Sequence, residues 1–468
     1  MTTPLASSLE PAATLKETPS RVGVAPPRPS CSVFAQTSRF FKDPLPLLSE
    51  AYEECGDIFS LRLLGMGEWV FLCSPATVKE MFKAPSEVLD AGAIHRKMFG
   101  NVFGYDSTFN LDGPAHRQRQ KIVFPLLNGP EILQYLPMIH ETTVSTVSGW
   151  PENHPFSLLP QTHRISLKIL GRAMFGQEDR DVVDELVEKF EHFANTGPRS
   201  PLIRMPFLQI DLGRHSPWGK LMRLRRDTRQ IFREVIERRL ARIAAGEPQS
   251  DILGSILSAE QDDGSRLSVE SALDEVLTLL FAGHETTGTG LSWIVERVLS
   301  HPNVLDRLLG EIEEVLGDRA ITAPDLCRLR YLDAVVNESH RCRAIAPMAA
   351  IRVAKKPFSV GEFIVPEGRV VAECLYVMSQ REDLFPEPQR FAPERFLSRK
   401  PQRYEWTPFG GGKRACSGKG LAHLELVAIT ATLLQNIRLS LVSATNKAVR
   451  EGHMFIPEHG LRVVAQKR

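Results

Sequence analysis

The stretch Phe409-Gly410-Gly411-Gly412-Lys413-Arg414-Ala415-Cys416-Ser417-Gly418 combines three consecutive glycines, two cations and one cysteine. Glycines reach backbone angles closed to other residues and let a flat object approach the chain. Lys413 and Arg414 are placed to favour the thiolate of Cys416 over the thiol. The apolar pattern over 419–434 predicts a helix that starts just after the cysteine. Its free N–H groups and the positive end of its dipole would face the sulfur. Such a turn suits a thiolate that binds a soft metal. A closed zinc site wants about four ligands, and the chain has no Cys-x-x-Cys or His-x-x-x-His. A haem iron needs a single protein ligand, and a cysteine thiolate is one known choice.

The second informative stretch is 268–300, which predicts one long helix with Ser268 as its cap and Glu270 and Asp274 near its positive end. Its middle, 277–283, is almost wholly apolar, so burial on all sides is expected. Yet Gly283-His284-Glu285-Thr286-Thr287-Gly288-Thr289-Gly290 follows directly. Each glycine inside a helix costs roughly 1 kcal/mol relative to alanine, and buried acids and hydroxyls cost more unless paired. Small residues would let a ligand lie against the backbone. A threonine hydroxyl at 286 can bond the carbonyl of Ala282 and bend the helix. His284 reads as a satisfied helix residue.

These two stretches carry a family resemblance. The first resembles the haem-binding loop of the cytochrome P450 family, Phe-x-x-Gly-x-Arg-x-Cys-x-Gly, at every fixed position. Ala282-Gly283-His284-Glu285-Thr286 is similar to the family's oxygen-binding motif, Ala/Gly-Gly-x-Asp/Glu-Thr. Glu338-Ser339-His340-Arg341 and Phe391-Ala392-Pro393-Glu394-Arg395-Phe396 resemble the family's Glu-x-x-Arg and Pro-Glu-Arg-Phe segments. The four motifs stand in the family's order.

The resemblance implies a mainly α fold with a small β-lobe, forming a single large domain around the cofactor over 26–468. The implied cofactor is haem b (iron protoporphyrin IX) with an axial thiolate from Cys416. Phe409, Arg414 and Gly418 of the loop, with Ala282 and Gly283 of the helix, are carried over as cofactor-binding. Glu285 and Thr286 are carried over as the catalytic pair that delivers protons. Glu338, Arg341 and Arg395 are carried over as a buried network that brace the haem loop. The family holds its propionates through a His or Trp and an Arg four residues later; His116 fits, position 120 is a glutamine, and Arg119 lies one residue earlier. Arg352 lies near the point where the family often places another propionate partner, and it is carried over as cofactor-binding. The chain departs from the family at Cys342-Arg343, where a leucine-rich continuation is usual.

Composition agrees with a soluble globular chain: 468 residues, 43% apolar and 24% charged. The length could hold two or three average domains. A formal net charge of +1 gives no case for a nucleic-acid partner. The seven cysteines are scattered and odd in number, which argues against a disulfide framework and fits a reducing cytoplasmic setting. The Ser-, Thr-, Ala- and Pro-rich start has no apolar run of membrane-spanning length. Residues 1–25 are expected to be disordered, without a transmembrane anchor, as in a soluble, bacterial-type member.

Further elements are expected as helices at 43–55, 75–82, 116–127, 162–175, 179–196, 218–245, 303–316 and 331–345. Strands are expected at 58–63, 69–72, 358–360, 363–365 and 370–374, with a β-rich C-terminal end. Segment 90–110 reads as a long loop, and 386–401 as irregular. Segment 197–217, with four prolines, reads as core packing under a loop, as a lid over an apolar pocket or as a membrane-touching patch. The basic residues Arg117, Arg119 and Lys121 read mainly as a solvated face. With no fused flavin or iron–sulfur module in the sequence, electrons would come from a ferredoxin or flavodoxin with its NAD(P)H reductase. Arg117, Lys121, Lys413 and Lys419 could form the docking face.

The pocket-lining segments (90–110, 197–217, 345–351 and 454–457) are mainly apolar, which suggests a lipid, terpenoid, steroid or macrolide-like substrate for a monomeric monooxygenase. The rivals are a haem-thiolate enzyme that uses peroxide or rearranges a substrate, and a haem protein that only senses or carries a ligand. The Glu285-Thr286 pair argues against the first.

Overall fold

The computed structural model describes residues 24–176, 178, 180–196, 210, 211 and 213–468. The central helix Val269–Leu299 runs for 31 residues, about 46 Å at the usual rise. Ser268 caps it, its hydroxyl accepting from the Ser271 N–H. Helix Leu158–Phe175 lies along it, and Pro217–Ala244, Arg330–Cys342 and Lys419–Asn436 pack around it. This helix therefore has almost no solvent face, which is why its sequence is apolar over several turns.

The small β-lobe is a five-stranded sheet in the order Ile58–Leu63, Gly67–Leu72, Val370–Glu373, Ala349–Ala354, Leu89–Asp90. Gly67–Leu72 and Val370–Glu373 pair in parallel, and the other neighbours are antiparallel. A bulge between Ala349 and Arg352, with Ala350 at φ 51°, breaks the register there. Bulges of this kind re-aim side chains, and the side chain that follows is Arg352. Near the C-terminus, Phe156–Ser157, Arg462–Lys467 and Ile437–Leu441 form a second sheet, and Ala448–Glu451 pairs with Met454–Pro457.

Most expected elements appear within a few residues of their anticipated ends. Three differ. Segment 90–110 is not a loop throughout, because Gly92–Phe103 is a helix. Three glycines at 92, 100 and 104 hid its period. Gly92 and Gly100 are needed for contact, since a Cβ at Gly92 would sit 2.3 Å from Asp112 and one at Gly100 2.4 Å from the Tyr105 ring. Helix Arg330–Cys342 stops before 345, and strand Ala349–Ala354 follows where no strand was expected. Residues 394–398, within the segment read as irregular, form a short helix.

The expected disorder of 1–25 falls almost wholly outside the described residues; Val24 pairs with Phe363 as an isolated bridge. The lid reading of 197–217 falls mostly on 197–209 and 212, also outside the described residues. Among the described residues, no helix is long and apolar enough to cross a membrane.

Candidate active site

The cysteine loop is closed by the Cys416 N–H, which donates to the Phe409 carbonyl at 2.9 Å. Gly410 and Gly412 have φ of 64° and 66°, angles where a side chain is strained. A Cβ at Gly411 would lie 2.3 Å from the Phe82 ring, and one at Gly412 2.5 Å from the Phe82 carbonyl oxygen. The glycines are thus fixed by the approach of helix Pro75–Lys83. On the other side Asn128 staples the loop to its helix. Its amide donates to the Ser417 carbonyl at 2.6 Å and accepts from the Gly420 N–H at 2.9 Å. No sequence motif pointed to Asn128, because its partners lie almost three hundred residues away.

Cys416 is accessible yet densely surrounded by protein, as at the base of a concavity. Burial pushes its thiol above the ordinary range, while the Gly418 N–H and Lys419 pull the other way. The helix beyond the cysteine does start at Lys419. The expected role of Lys413 and Arg414 in favouring the thiolate is corrected. Arg414 instead donates to the carbonyls of Thr108, Phe109 and Leu111 at 2.7–3.3 Å, and Lys413 is exposed.

The central helix has a notch in its buried middle. Phe281, His284, Glu285 and Thr287 are buried, but Ala282 is exposed and Gly283 and Thr286 are half-buried. Burial on all sides therefore fails at 282–283, for want of side chains to fill the space. Thr286 Oγ1 donates to the Ala282 carbonyl at 2.7 Å, as its position on the helix anticipated. His284 Nδ1 bonds the Leu280 carbonyl at 2.7 Å, a satisfied helix residue.

A cluster of basic groups gathers between the sheet and the cysteine loop. His116 is buried, and burial followed by the charges of Arg414 and Arg352 pulls it down to about 3. His95 is brought to about 3 mainly by burial, and then by Arg414, Arg352 and Arg96 against the raising effect of its Phe109 bond. His95 Nδ1 lies 2.9 Å from the Phe109 carbonyl. Burial and then Arg414 bring Arg352 to about 9. Burial brings Arg414 to about 10.

The opposing acids are few. Asp90 pairs with Lys355. Asp112 accepts from the Gly92 N–H at 2.7 Å and stands 3.5 Å from Arg96 and 3.7 Å from Arg414. Glu373 is pushed up to about 7 by burial, so it is a weak counter-charge. Arg352 is buried and, among the described residues, its one hydrogen bond is to its neighbour's carbonyl, at 3.2 Å. A buried cluster with this surplus of donors suits a group carrying carboxylates. Sequence reading missed His95, Arg96 and Asp112, because helix Gly92–Phe103 was not seen.

Arg119 does not join this cluster. It is buried, not solvated. Its Nη1 donates to the Asp106 carbonyl at 3.0 Å and to Glu275 at 3.1 Å on the central helix. Gln120 is half-buried, with no hydrogen bond recorded among the described residues.

Glu338, Arg341 and Arg395 lie together. Arg341 donates to both Glu338 oxygens at 2.7 and 2.8 Å, and Arg395 to one of them at 3.0 Å. Arg341 also donates to the carbonyls of Ser379, Pro388 and Arg390 at 2.8–3.1 Å. Glu338 and Arg341 are fully buried. Next to the notch, Phe281 belongs to an aromatic group. The Phe103 and Phe281 rings are 4.3 Å apart, and His453 lies 5.8 Å from Phe99 and 6.4 Å from Phe281.

The chain matches the family Cytochrome P450 over residues 25–461. It is 32% identical over 423 residues to the putative cytochrome P450 138 of Mycobacterium bovis, covering 90% of this chain and 92% of that protein. It is 31% identical to the putative cytochrome P450 137 of Mycobacterium tuberculosis, covering 87% and 83%. The fold matches that of retinoic-acid-bound cyanobacterial CYP120A1 with a TM-score of 0.80 at 24% identity, over 95% of this chain and 100% of that one. The chain belongs to the cytochrome P450 family, and is an oxidoreductase of the monooxygenase class. The family's cofactor is haem b on a cysteine thiolate. The accessible cysteine, the notched helix and the surplus of buried cations fit that group.

Proposed function

We propose that the protein inserts one oxygen atom of dioxygen into a hydrophobic small molecule, with electrons from a separate ferredoxin or flavodoxin and its NAD(P)H reductase. The observation that carries this reading is the notch at Ala282, Gly283 and Thr286 in an otherwise buried helix, next to the aromatic group around Phe281. Cys416 would ligate the iron, and His116, His95, Arg352 and Arg414 would hold the propionates. Bound haem supplies the reductive activation of dioxygen.

The chain's own residues place the substrate and control protons. Phe99, Phe103 and Phe281 exclude water and offer apolar surface, which favours a lipid, terpenoid, steroid or macrolide-like substrate. The Thr286 hydroxyl donates its hydrogen bond to the Ala282 carbonyl. Its lone pairs therefore point elsewhere, and they can hold a water or accept a proton for relay. Glu285, buried beside it, is the acid from which that relay is fed. Arg117, Lys413 and Lys419 are exposed and offer cations to an acidic redox partner, whereas Lys121 is paired with Asp262 at 2.9 Å. A cytoplasmic monomer fits this reading.

The test is coupling. General acid–base groups are worth about 10²–10⁴ in rate, so Thr286→Ala should lose product formation by a factor in that range. Cofactor consumption should fall much less, and hydrogen peroxide per NAD(P)H should rise. Thr287→Val, in the next position and buried, should leave coupling intact. Equal coupling in Thr286→Ala and the wild type contradicts the relay.

A further inference from the structure

A cavity of about 250 Å³ lies away from the notch, where the later half of the central helix meets the end of helix Arg330–Cys342 and strand Met454–Pro457. Trp293, Arg297, Arg343 and Phe455 line it. Trp293 stands seven residues beyond Thr286, about 10 Å along the helix. Two guanidiniums here share one carboxylate. Arg297 takes both oxygens of Glu296, through Nε and Nη2 at 2.5 Å each. Arg343 is left 3.6 Å from the nearer Glu296 oxygen, beyond a normal hydrogen bond.

The Arg343 Nε is buried with no hydrogen-bond acceptor among the described residues. Its guanidinium lies over the Trp293 ring, 5.0 Å from the centroid. Glu338, 3.8 Å from the neighbouring Cys342 thiol, is already taken by Arg341 and Arg395. The wall thus sets two guanidiniums against one carboxylate and leaves the buried Arg343 Nε–H an unmet donor, which costs free energy.

The geometry points to a binding site for a small organic or inorganic oxyanion, with a carboxylate or phosphate head held by Arg343 and Arg297. Arginine forks match paired oxygens of these groups better than any other side chain. Tyr376, Gln380 and Gln389 line the rest of the cavity and suit a polar body. The volume falls below that of a drug-sized pocket, about 300–1,000 Å³, so the ligand is a compact metabolite. Sequence reading had marked Arg343 only as a departure from the family pattern. The structure gives that arginine a cavity to serve.

The experiment uses the haem-loaded protein, whose propionates would occupy the other basic cluster. Inorganic phosphate and benzoate are titrated separately by calorimetry, at ionic strength held constant with chloride. At least one should bind saturably at one site, phosphate or benzoate identifying the head group preferred. Arg343→Gln should weaken binding about tenfold or more, the worth of one charge-assisted bond. Arg343→Lys, which keeps the charge and loses the fork, should weaken it too, and serves if the glutamine variant does not fold. An unchanged ferrous–CO spectrum in either variant shows that the haem pocket is intact. Undiminished binding in both variants, or no saturable binding of either anion, overturns the assignment.

Discussion

Glu425 lies in the helix behind the cysteine loop and is buried, with Ser166 donating to it at 2.9 Å. Burial raises its carboxyl from 4.5 to about 8. The folded protein therefore keeps a proton that the unfolded chain loses. The stability this contributes is complete below about 4.5 and is lost as pH rises through about 8. Glu425→Gln removes that dependence. Its stability relative to wild type should climb by about 1.4 kcal/mol per pH unit across the window, read from denaturation midpoints of the holoprotein. A constant offset between the two would contradict a protonated Glu425. At this scale the sequence showed which residues were chemically unusual, such as Cys416, Glu285 and Thr286. It did not show that Arg119 would be spent on Glu275, because that partner is 156 residues away.

The elements explain why single glycines and acids matter. Gly412 has a positive φ and backbone 2.5 Å from its would-be Cβ. The loop cannot yield there without moving helix Pro75–Lys83. Gly412→Ala should cost about 1–3 kcal/mol and lower the haem content of purified protein; normal content and midpoint would show that the loop has slack. Glu338 ties helix Arg330–Cys342 to the segment that leads into the cysteine loop, through Arg341, Arg395 and the Ala392 N–H at 2.9 Å. Removing one partner of a buried pair costs about 3–5 kcal/mol. Glu338→Ala should therefore give little folded protein, and good yield with full haem would mark the network as dispensable. Elements with a steady period were legible, down to the Ser268 and Asp43 caps. Helix Gly92–Phe103 was not, since its glycines answer to Asp112 and Tyr105, contacts made only in three dimensions. With it went His95 and Arg96, two members of the basic cluster beside the cysteine loop.

At the scale of the molecule, one buried helix, one cysteine loop and one sheet edge converge. The fold class was legible because four motifs in order leave little freedom for another architecture, and the family match over residues 25–461 agrees with it. Substrate shape was not legible, because the aromatic group next to the notch is assembled from Phe99, Phe103, Phe281 and His453, which lie far apart in the sequence. The central claim is that Cys416, alone among seven cysteines, meets the iron. Cys342 is a poor rival, its thiol pushed up to about 12 by burial and Glu338. The most direct measurement is the reduced, carbon monoxide-bound absorption spectrum of wild type, Cys416→Ala and Cys342→Ala. The wild type and Cys342→Ala should show the red-shifted Soret band of thiolate ligation, and Cys416→Ala should lack it. Retention of that band in Cys416→Ala would contradict the account.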